Sequence, residues 1–308
     1  MKKLTEQANG VFVIAVTPFG ADGSLDLESA DRMVDFYLDK GVTGLTVLGM
    51  MGEAPKLTSE ESSAVVQRIL KRVDGRVPVV AGVSAPGFAQ MKTLSDQVMN
   101  DGAAGVMIAP PASLKTDEQI VTYYHQASEA IGRDVPFVLQ DFPLATGIHM
   151  SLPVIRRIVK DLPACVCLKH EDWPGLDKIS ALRKEGALAR RISILCGNGG
   201  LFLPEEMRRG ADGAMTGFGY PEMMVDVVRE MNADRVARAR DLFDAYLPLA
   251  RYEQQPGKGL SVRKYVLWKR GVIAEAVLRQ PGGVLDAKTC EEIDLLISRQ
   301  EKRLEEIG

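Results

Sequence analysis

Cysteine is scarce in this chain. Only Cys165, Cys167, Cys196 and Cys290 occur, and no two of them form a C-x-x-C pair. A chain of 308 residues can bury a large core without disulfide staples, so these read as reduced core thiols of a cytoplasmic protein. Histidine is scarcer still: His125, His149 and His170 show no metal-ligand spacing, H-E-x-x-H is absent, and no metal is expected. No apolar run approaches the ~18 residues of a membrane span. The start Met1-Lys2-Lys3 hints at a signal peptide, but polar residues 5–10 follow at once and the apolar run 11–16 is too short for one. Basic residues are scattered through a chain of net charge −3, so neither nucleic acid nor a membrane is an expected partner. The Walker A motif is missing too, since Gly257-Lys258-Gly259 has neither the spacing nor a preceding strand.

What is present is an alternation. Short apolar, β-branched runs fall at 11–17, 44–48, 77–83, 105–109, 135–141, 164–169, 192–196 and 213–216. Between them lie amphipathic stretches. One follows Asp26, another covers 60–71, a third runs from Asp117 to about 130, and a sixth starts near Pro174 with Leu176, Ile179 and Leu182 at helical spacing. Continuous rather than alternating apolar strands suit a parallel sheet buried on both faces, and eight of them separated by helices predict an α/β fold, a (β/α)8 TIM barrel. From about 221 onward there is no strand signal. Helices are expected at 224–231, 234–249, 260–269 and 290–307, with turns at Gln254–Gly259 and Gln280–Gly283. The division is therefore a barrel over 1–220 and, with no clear linker, a helical portion over 221–308 that holds the last barrel helix and an extension.

Active sites of such barrels lie at the C-terminal ends of the strands. The residues there are Gly49-Met50-Met51-Gly52-Glu53 after strand 2, Gln140-Asp141-Phe142-Pro143 after strand 5, Lys169-His170-Glu171-Asp172 after strand 6, Gly197-Asn198-Gly199-Gly200 after strand 7, and Thr216-Gly217-Phe218-Gly219-Tyr220 after strand 8. Lys169 stands out, because an ammonium is costly to bury and burial favours the neutral, nucleophilic amine. Alternation along strand 6 places Cys165, Cys167 and Lys169 on one face. The pattern alone leaves two readings: a lysine inside the barrel mouth, or one at a strand end facing solvent or paired with Glu171 or Asp172. The spacing Gly49-x-x-Gly52 either presents backbone N–H groups to an anion or makes a tight turn. The glycines after strands 7 and 8 fit phosphate loops or plain loop geometry.

Taken together, these anchors resemble the dihydrodipicolinate synthase/N-acetylneuraminate lyase family of class I aldolases. The resemblance runs from Val16-Thr17-Pro18-Phe19 to the helical tail. It covers the G-x-x-G-E motif at Gly49–Glu53, the strand-5 segment Gln140-Asp141-Phe142-Pro143 with Thr146-Gly147, and the strand-6 lysine at Lys169. It implies a Schiff base between Lys169 and a pyruvate-like 2-oxo acid, no metal or organic cofactor, and a homo-oligomer, tetramer or dimer. Four departures matter. Gln140 replaces the family's proton-relaying tyrosine, and an amide does not titrate near neutrality. Met50 and Met51 replace the hydroxyls that hold the substrate carboxylate, although the Met51 N–H remains a donor. Ala145 stands where true synthases carry an arginine, and the second relay tyrosine is absent near Pro110-Pro111-Ala112. The branch that dehydrates 2-keto-3-deoxy sugar acids such as 2-keto-3-deoxyarabonate is more similar. It shares the Gln-Asp-x-Pro segment and a tail like Leu247-Pro248-Leu249, Glu253, Gly259-Leu260, Lys264 and Gly271-Val272-Ile273, but differs in the strand-2 motif.

The expected catalytic residues are therefore Lys169, Glu171 and Gln140. The expected substrate contacts are Met50, Met51, Gly52, Asp141, Gly197 and Thr216. With no tyrosine available, Glu171 is the first candidate for the proton shuttle, a bound water or the substrate carboxylate the alternative, while Glu53 is expected to brace its loop. Dehydration or aldol cleavage of a 2-keto-3-deoxy sugar acid is the expected reaction. Condensation of pyruvate with aspartate semialdehyde, or binding of a 2-oxo acid without turnover, are the competing readings.

Overall fold

Every residue of all eight strands is buried, as a parallel sheet with helices on one face and a filled interior on the other requires. The computed structural model describes residues 2–173 and 175–308. Strands β1 (Gly10–Ile14), β2 (Gly44–Val47), β3 (Val79–Gly82), β4 (Gly105–Ile108), β5 (Phe137–Asp141), β6 (Cys165–His170), β7 (Ser193–Cys196) and β8 (Gly213–Ala214) pair in chain order, and β1 closes on β8. The fold is the expected (β/α)8 barrel. Strand β8 is shorter than its apolar run. Its pairing nevertheless carries on through Met215 N–H to Cys196 O at 2.8 Å and Ile14 N–H to Thr216 O at 2.8 Å. Closure depends on glycine: Gly213 has φ +145°, and a Cβ there would lie 1.9 Å from the Gly10 carbonyl oxygen.

Helices α1 (Leu27–Asp39), α2 (Ser59–Val73), α3 (Phe88–Asn100) and α4 (Asp117–Ile131) fill the first four crossovers. Thr58 with Glu61 and Thr116 with Gln119 form capping boxes that start α2 and α4. A single turn, α5 (Pro143–Thr146), sits at the mouth before α6 (Leu152–Asp161); α7 (Leu176–Arg183), α8 (Leu203–Arg208) and α9 (Pro221–Asn232) complete the ring. The expected start of the sixth helix at Pro174 lies outside the described residues. Beyond α9 come α10 (Val236–Glu253), α11 (Gly259–Lys269) and α12 (Ala287–Ile307). Helix α10 runs past the expected end at 249, through Pro248, with Leu249, Ala250 and Glu253 buried beyond the proline. Val262, Val266 and Ile293 of this portion join the same apolar core as Met33 and Val227 of the barrel. Among the described residues no helix is long and apolar enough to cross a membrane.

One register expectation is corrected. Between β5 and β6 the pairing shifts, with Phe137 opposite Cys165 but Val138 opposite Cys167. The extra residue, Val166, is a bulge that breaks the alternation. Cys165 consequently packs among the helices, while Val166 and Cys167 face the interior with Val138, Leu195 and Met215.

Candidate active site

Downstream of the bulge the pleat is regular, so Lys169 and Gln140 follow Cys167 and Val138 onto the inner face and stand opposite each other in the ladder. Lys169, Glu171 and Gln140 are 5%, 5% and 4% exposed. Lys169 Nζ lies 2.9 Å from Glu171 Oε2, and Gln140 Nε2 donates to the same oxygen at 2.8 Å. The pairing with Glu171 that the pattern allowed at a strand end is present, but it sits inside the mouth. An amide facing a carboxylate offers its NH2, so Gln140 serves as a fixed donor that orients Glu171. Glu171 Oε1 accepts no hydrogen bond among the described residues and lies toward Gly197, 2.5 Å from where a Cβ on that residue would stand.

The strand-7 loop is shaped around that carboxylate. A Cβ on Gly197 would lie 2.1 Å from Glu171 Cγ, so only glycine lets Glu171 fold back over the strand end. Asn198, in the left-handed region at φ 50°, donates Nδ2 to the Glu171 carbonyl at 3.1 Å. Thr216 is buried, and its Oγ1 accepts from Gly199 N–H at 2.9 Å. Gly197 and Thr216 are thus brought to the site as residues that shape it. Asn198, which sequence reasoning did not single out, belongs with them; its place in a Gly-Asn-Gly-Gly run is the signal that was available.

Across the mouth, the strand-2 motif forms a 3-10 turn over Met50–Gly52. Met50 is exposed at the rim, Met51 is half-buried against the interior cluster, and Gly52 is buried with its carbonyl accepting Thr17 Oγ1 at 2.6 Å. Gly52 and Glu53 close the turn through their N–H groups. Among the described residues the N–H groups of Met50 and Met51 have no acceptor, as expected at the start of a helical turn. Gly49 and Met50 share a cavity of about 510 Å3 with Gln140, Met107 and Ser84, and no charged side chain lines it. Glu53 accepts from Lys264 and Lys56, which is the bracing role expected of it.

Asp141 requires a correction. It follows Gln140 on the strand and therefore faces outward, fully buried, with Oδ2 2.9 Å from Lys178 Nζ of α7 and 3.7 Å from His170 Nδ1. It does not meet the substrate mouth. Lys178 also holds Asp172 at 2.6 Å. Burial works against the Lys178 charge, but Asp141 and Asp172 outweigh it and raise its pKa. Further along this outer layer, burial pushes Glu206 of α8 up to about 7, opposed by the nearby His170 and by a hydrogen bond with Cys196, and its Oε2 has no partner. Cys165, Cys167 and Cys196 are buried free thiols pushed upward by burial. No group of three histidine, cysteine or carboxylate side chains among the described residues is arranged to hold a metal ion.

Comparison with known proteins shows the family to which this barrel belongs. The model of the dihydrodipicolinate synthetase family matches residues 7–300. An L-2-keto-3-deoxyarabonate dehydratase of Azospirillum brasilense is 31% identical over 300 residues, spanning 96% of this chain and 95% of that protein. A 4-hydroxy-tetrahydrodipicolinate synthase of Thermotoga neapolitana is 30% identical over 254 residues, 78% of this chain and 81% of that protein. Among solved structures, a dihydrodipicolinate synthase from Rhodopseudomonas palustris is 57% identical, covers 97% of this chain and 100% of its own, and superposes with a TM-score of 0.95. This chain belongs to the dihydrodipicolinate synthetase family and is an enzyme of the lyase class.

Proposed function

We propose that the protein dehydrates, or cleaves in the aldol sense, a 2-keto-3-deoxy sugar acid through an imine on Lys169. One observation carries this reading: a buried lysine amine and a buried carboxylate, Lys169 and Glu171, 2.9 Å apart at the barrel mouth. The neutral amine adds to the C2 ketone and loses water, giving an iminium that withdraws electrons from C3. Glu171 takes a C3 proton, leaving an enamine, then gives that proton to the C4 hydroxyl as the enamine electrons expel it as water. Hydrolysis of the unsaturated iminium restores the amine. In the aldol variant Glu171 removes the proton of the C4 hydroxyl and the C3–C4 bond breaks into the same electron sink. Gln140 keeps the carboxylate turned toward the amine throughout. The free N–H groups of Met50 and Met51 suit the substrate carboxylate, a task in which Gly52 supports them through the turn.

The substrate class follows from the lining. The cavity beside Gln140 offers the hydroxyls of Ser59, Ser62 and Ser84 and no charge, which suits a hydroxylated, uncharged distal end. The Azospirillum relative is named a dehydratase of such an acid. A second reading, condensation of pyruvate with aspartate semialdehyde, draws on the name of the 57% identical Rhodopseudomonas protein. Against it stand Gln140 in the tyrosine position and Ala145 in the arginine position. A homo-oligomer, dimer or tetramer, goes with the family reading and is checked by light scattering.

Borohydride reduction in the presence of pyruvate and, separately, of a 2-keto-3-deoxypentonate, followed by peptide mass spectrometry, tests the imine. An adduct on Lys169 is expected with both, and water loss or cleavage with the pentonate alone. An adduct with pyruvate plus condensation with aspartate semialdehyde would favour the second reading. No adduct with either acid in folded protein would sink the Schiff-base reading for these substrates and point to a binding protein without turnover or to a substrate of another class.

A further inference from the structure

The strand-2 loop is held from behind by a distant part of the chain. Glu53 ends the loop in the left-handed region, at φ 54° and ψ 29°, and is buried. Its Oε1 accepts from Lys264 Nζ of α11 at 2.6 Å; its Oε2 accepts from Lys56 Nζ at 2.8 Å and from Arg279 N–H at 3.1 Å. Lys264 is wholly buried, donates also to the Val277 carbonyl at 2.8 Å, and lies 4.5 Å from the centre of the Phe19 ring. The preceding residue reaches the other way. Arg263 donates Nη2 to the Gly217 carbonyl at 2.5 Å and Nε to Glu253 Oε1 at 2.6 Å, while Glu253 Oε2 receives the Gly219 N–H at 2.9 Å. A Cβ on Gly217 would come within 2.3 Å of Arg263 Nη1. Two consecutive buried cations of one helix thus tie down the loops after β8 and β2, which flank β1.

A buried ion pair is a weak source of net stability, because desolvation consumes most of the Coulomb gain. What it supplies here is one fixed arrangement of a left-handed residue. Glu53 N–H closes the turn onto the Met50 carbonyl, and Gly52 is anchored to Thr17, so the direction of the unpaired Met50 and Met51 N–H groups follows from where Glu53 is held.

We propose that Lys264 is a positioning residue of the active site: through Glu53 it fixes the Met50 and Met51 N–H groups that receive the substrate carboxylate. The C-terminal extension is then part of the substrate-binding machinery. The identity of the ligand rests on the function proposed above; the brace does not.

The test uses Lys264→Met and Glu53→Gln in the full chain, each checked for folding by circular dichroism, with Lys269→Met as an exposed control. Two quantities are read. Amide hydrogen exchange across residues 48–57, without ligand, rises by about tenfold or more in both variants and not in the control. The pyruvate concentration that half-saturates borohydride trapping rises by about tenfold, the cost of one misplaced charge-assisted hydrogen bond, while the saturating extent of trapping is unchanged. If Lys264→Met does not fold, Glu53→Gln, which keeps the shape and loses the charge, carries the comparison. Unchanged exchange in a folded variant overturns the proposal, as does a lower saturating extent at unchanged half-saturation, which would place Lys264 in the chemistry at Lys169. Faster exchange in a protein whose wild type traps no 2-oxo acid would uphold the brace and sink the reading of its ligand.

Discussion

The two sides of the barrel mouth are built differently. On the β5–β6–β7 side the contacts are local: Lys169, Glu171, Gln140 and Gly197 come from three neighbouring strand ends, with Lys169 Nζ and Gln140 Nε2 2.9 and 2.8 Å from Glu171 Oε2 and Glu171 lying across Gly197. On the β8–β1–β2 side the loops present backbone rather than reactive side chains, and they are held by residues of the extension, Lys264 on Glu53 and Arg263 on Gly217. Reactive groups need only their immediate neighbours to set their geometry. Backbone donors in a loop have no such means of their own and depend on a second layer. The proposed reacting groups and the proposed carboxylate-binding loop are thus held by separate parts of the chain, and so are separable by mutation.

The largest expected effect is on the local side. Lys169→Ala reduces turnover to background and abolishes the borohydride adduct; it also leaves buried Glu171 without its partner, so a lower melting temperature in a protein that still folds is expected. Retained trapping elsewhere in the chain would break the assignment. Glu171→Gln follows: its amide oxygen can still accept the hydrogen bond from Gln140, but it cannot take or give a proton, and kcat falls by about 10²–10⁴-fold, while the imine still forms slowly and is trapped. Equal loss of trapping and turnover would instead make Glu171 a structural partner of the lysine. On the braced side, Arg263→Met leaves Glu253 buried without its cation and costs about 3–5 kcal/mol of stability, read as a lower denaturation midpoint. Trapping at Lys169 at saturating pyruvate stays intact below that midpoint; its loss would join the two sides into one unit.

Smaller effects sharpen the contrast. Gln140→Leu keeps the bulk and removes the donor, and is expected to lower kcat by about tenfold with the half-saturating substrate concentration little changed. An unchanged kcat would show that the amide donor plays no part in setting Glu171 for the reaction. Glu206 probes the outer layer behind the lysine strand. Its folded pKa of about 7 lies above the ordinary 4.5, so the folded protein keeps a proton that the unfolded chain releases between those values. Its contribution is fully present below about pH 4.5 and is lost as the pH rises through 7. Glu206→Gln should therefore raise the melting temperature relative to wild type more at pH 8 than at pH 5. An equal shift at both would show that the carboxyl titrates normally.

Much of this was legible beforehand, and for physical reasons. The barrel follows from eight apolar runs that only a doubly covered parallel sheet can bury. The apolar run ending in a charge singled out Lys169 but left its direction open, and it was the family resemblance that made it, with Glu171 two residues later, the catalytic candidate. The side of Asp141 and the position of Cys165 were misread for opposite reasons. Asp141 was carried along with a motif although its neighbour already occupied the inner face. Cys165 was placed by strict alternation, which the bulge at Val166 interrupts, and a single inserted residue leaves no mark in an apolar run.

By itself the sequence determined the strands and their order and marked Lys169 as a candidate, because burial periodicity and the cost of a buried charge act over a few residues. The tertiary structure alone decided which partners those residues meet. Nothing local tells that Glu53 is held by Lys264, 211 positions away, or that Gly197 is a glycine because Glu171 lies across it. Such pairings depend on the closure of the barrel and the return of the tail over β1, which bring together groups that no window of sequence contains.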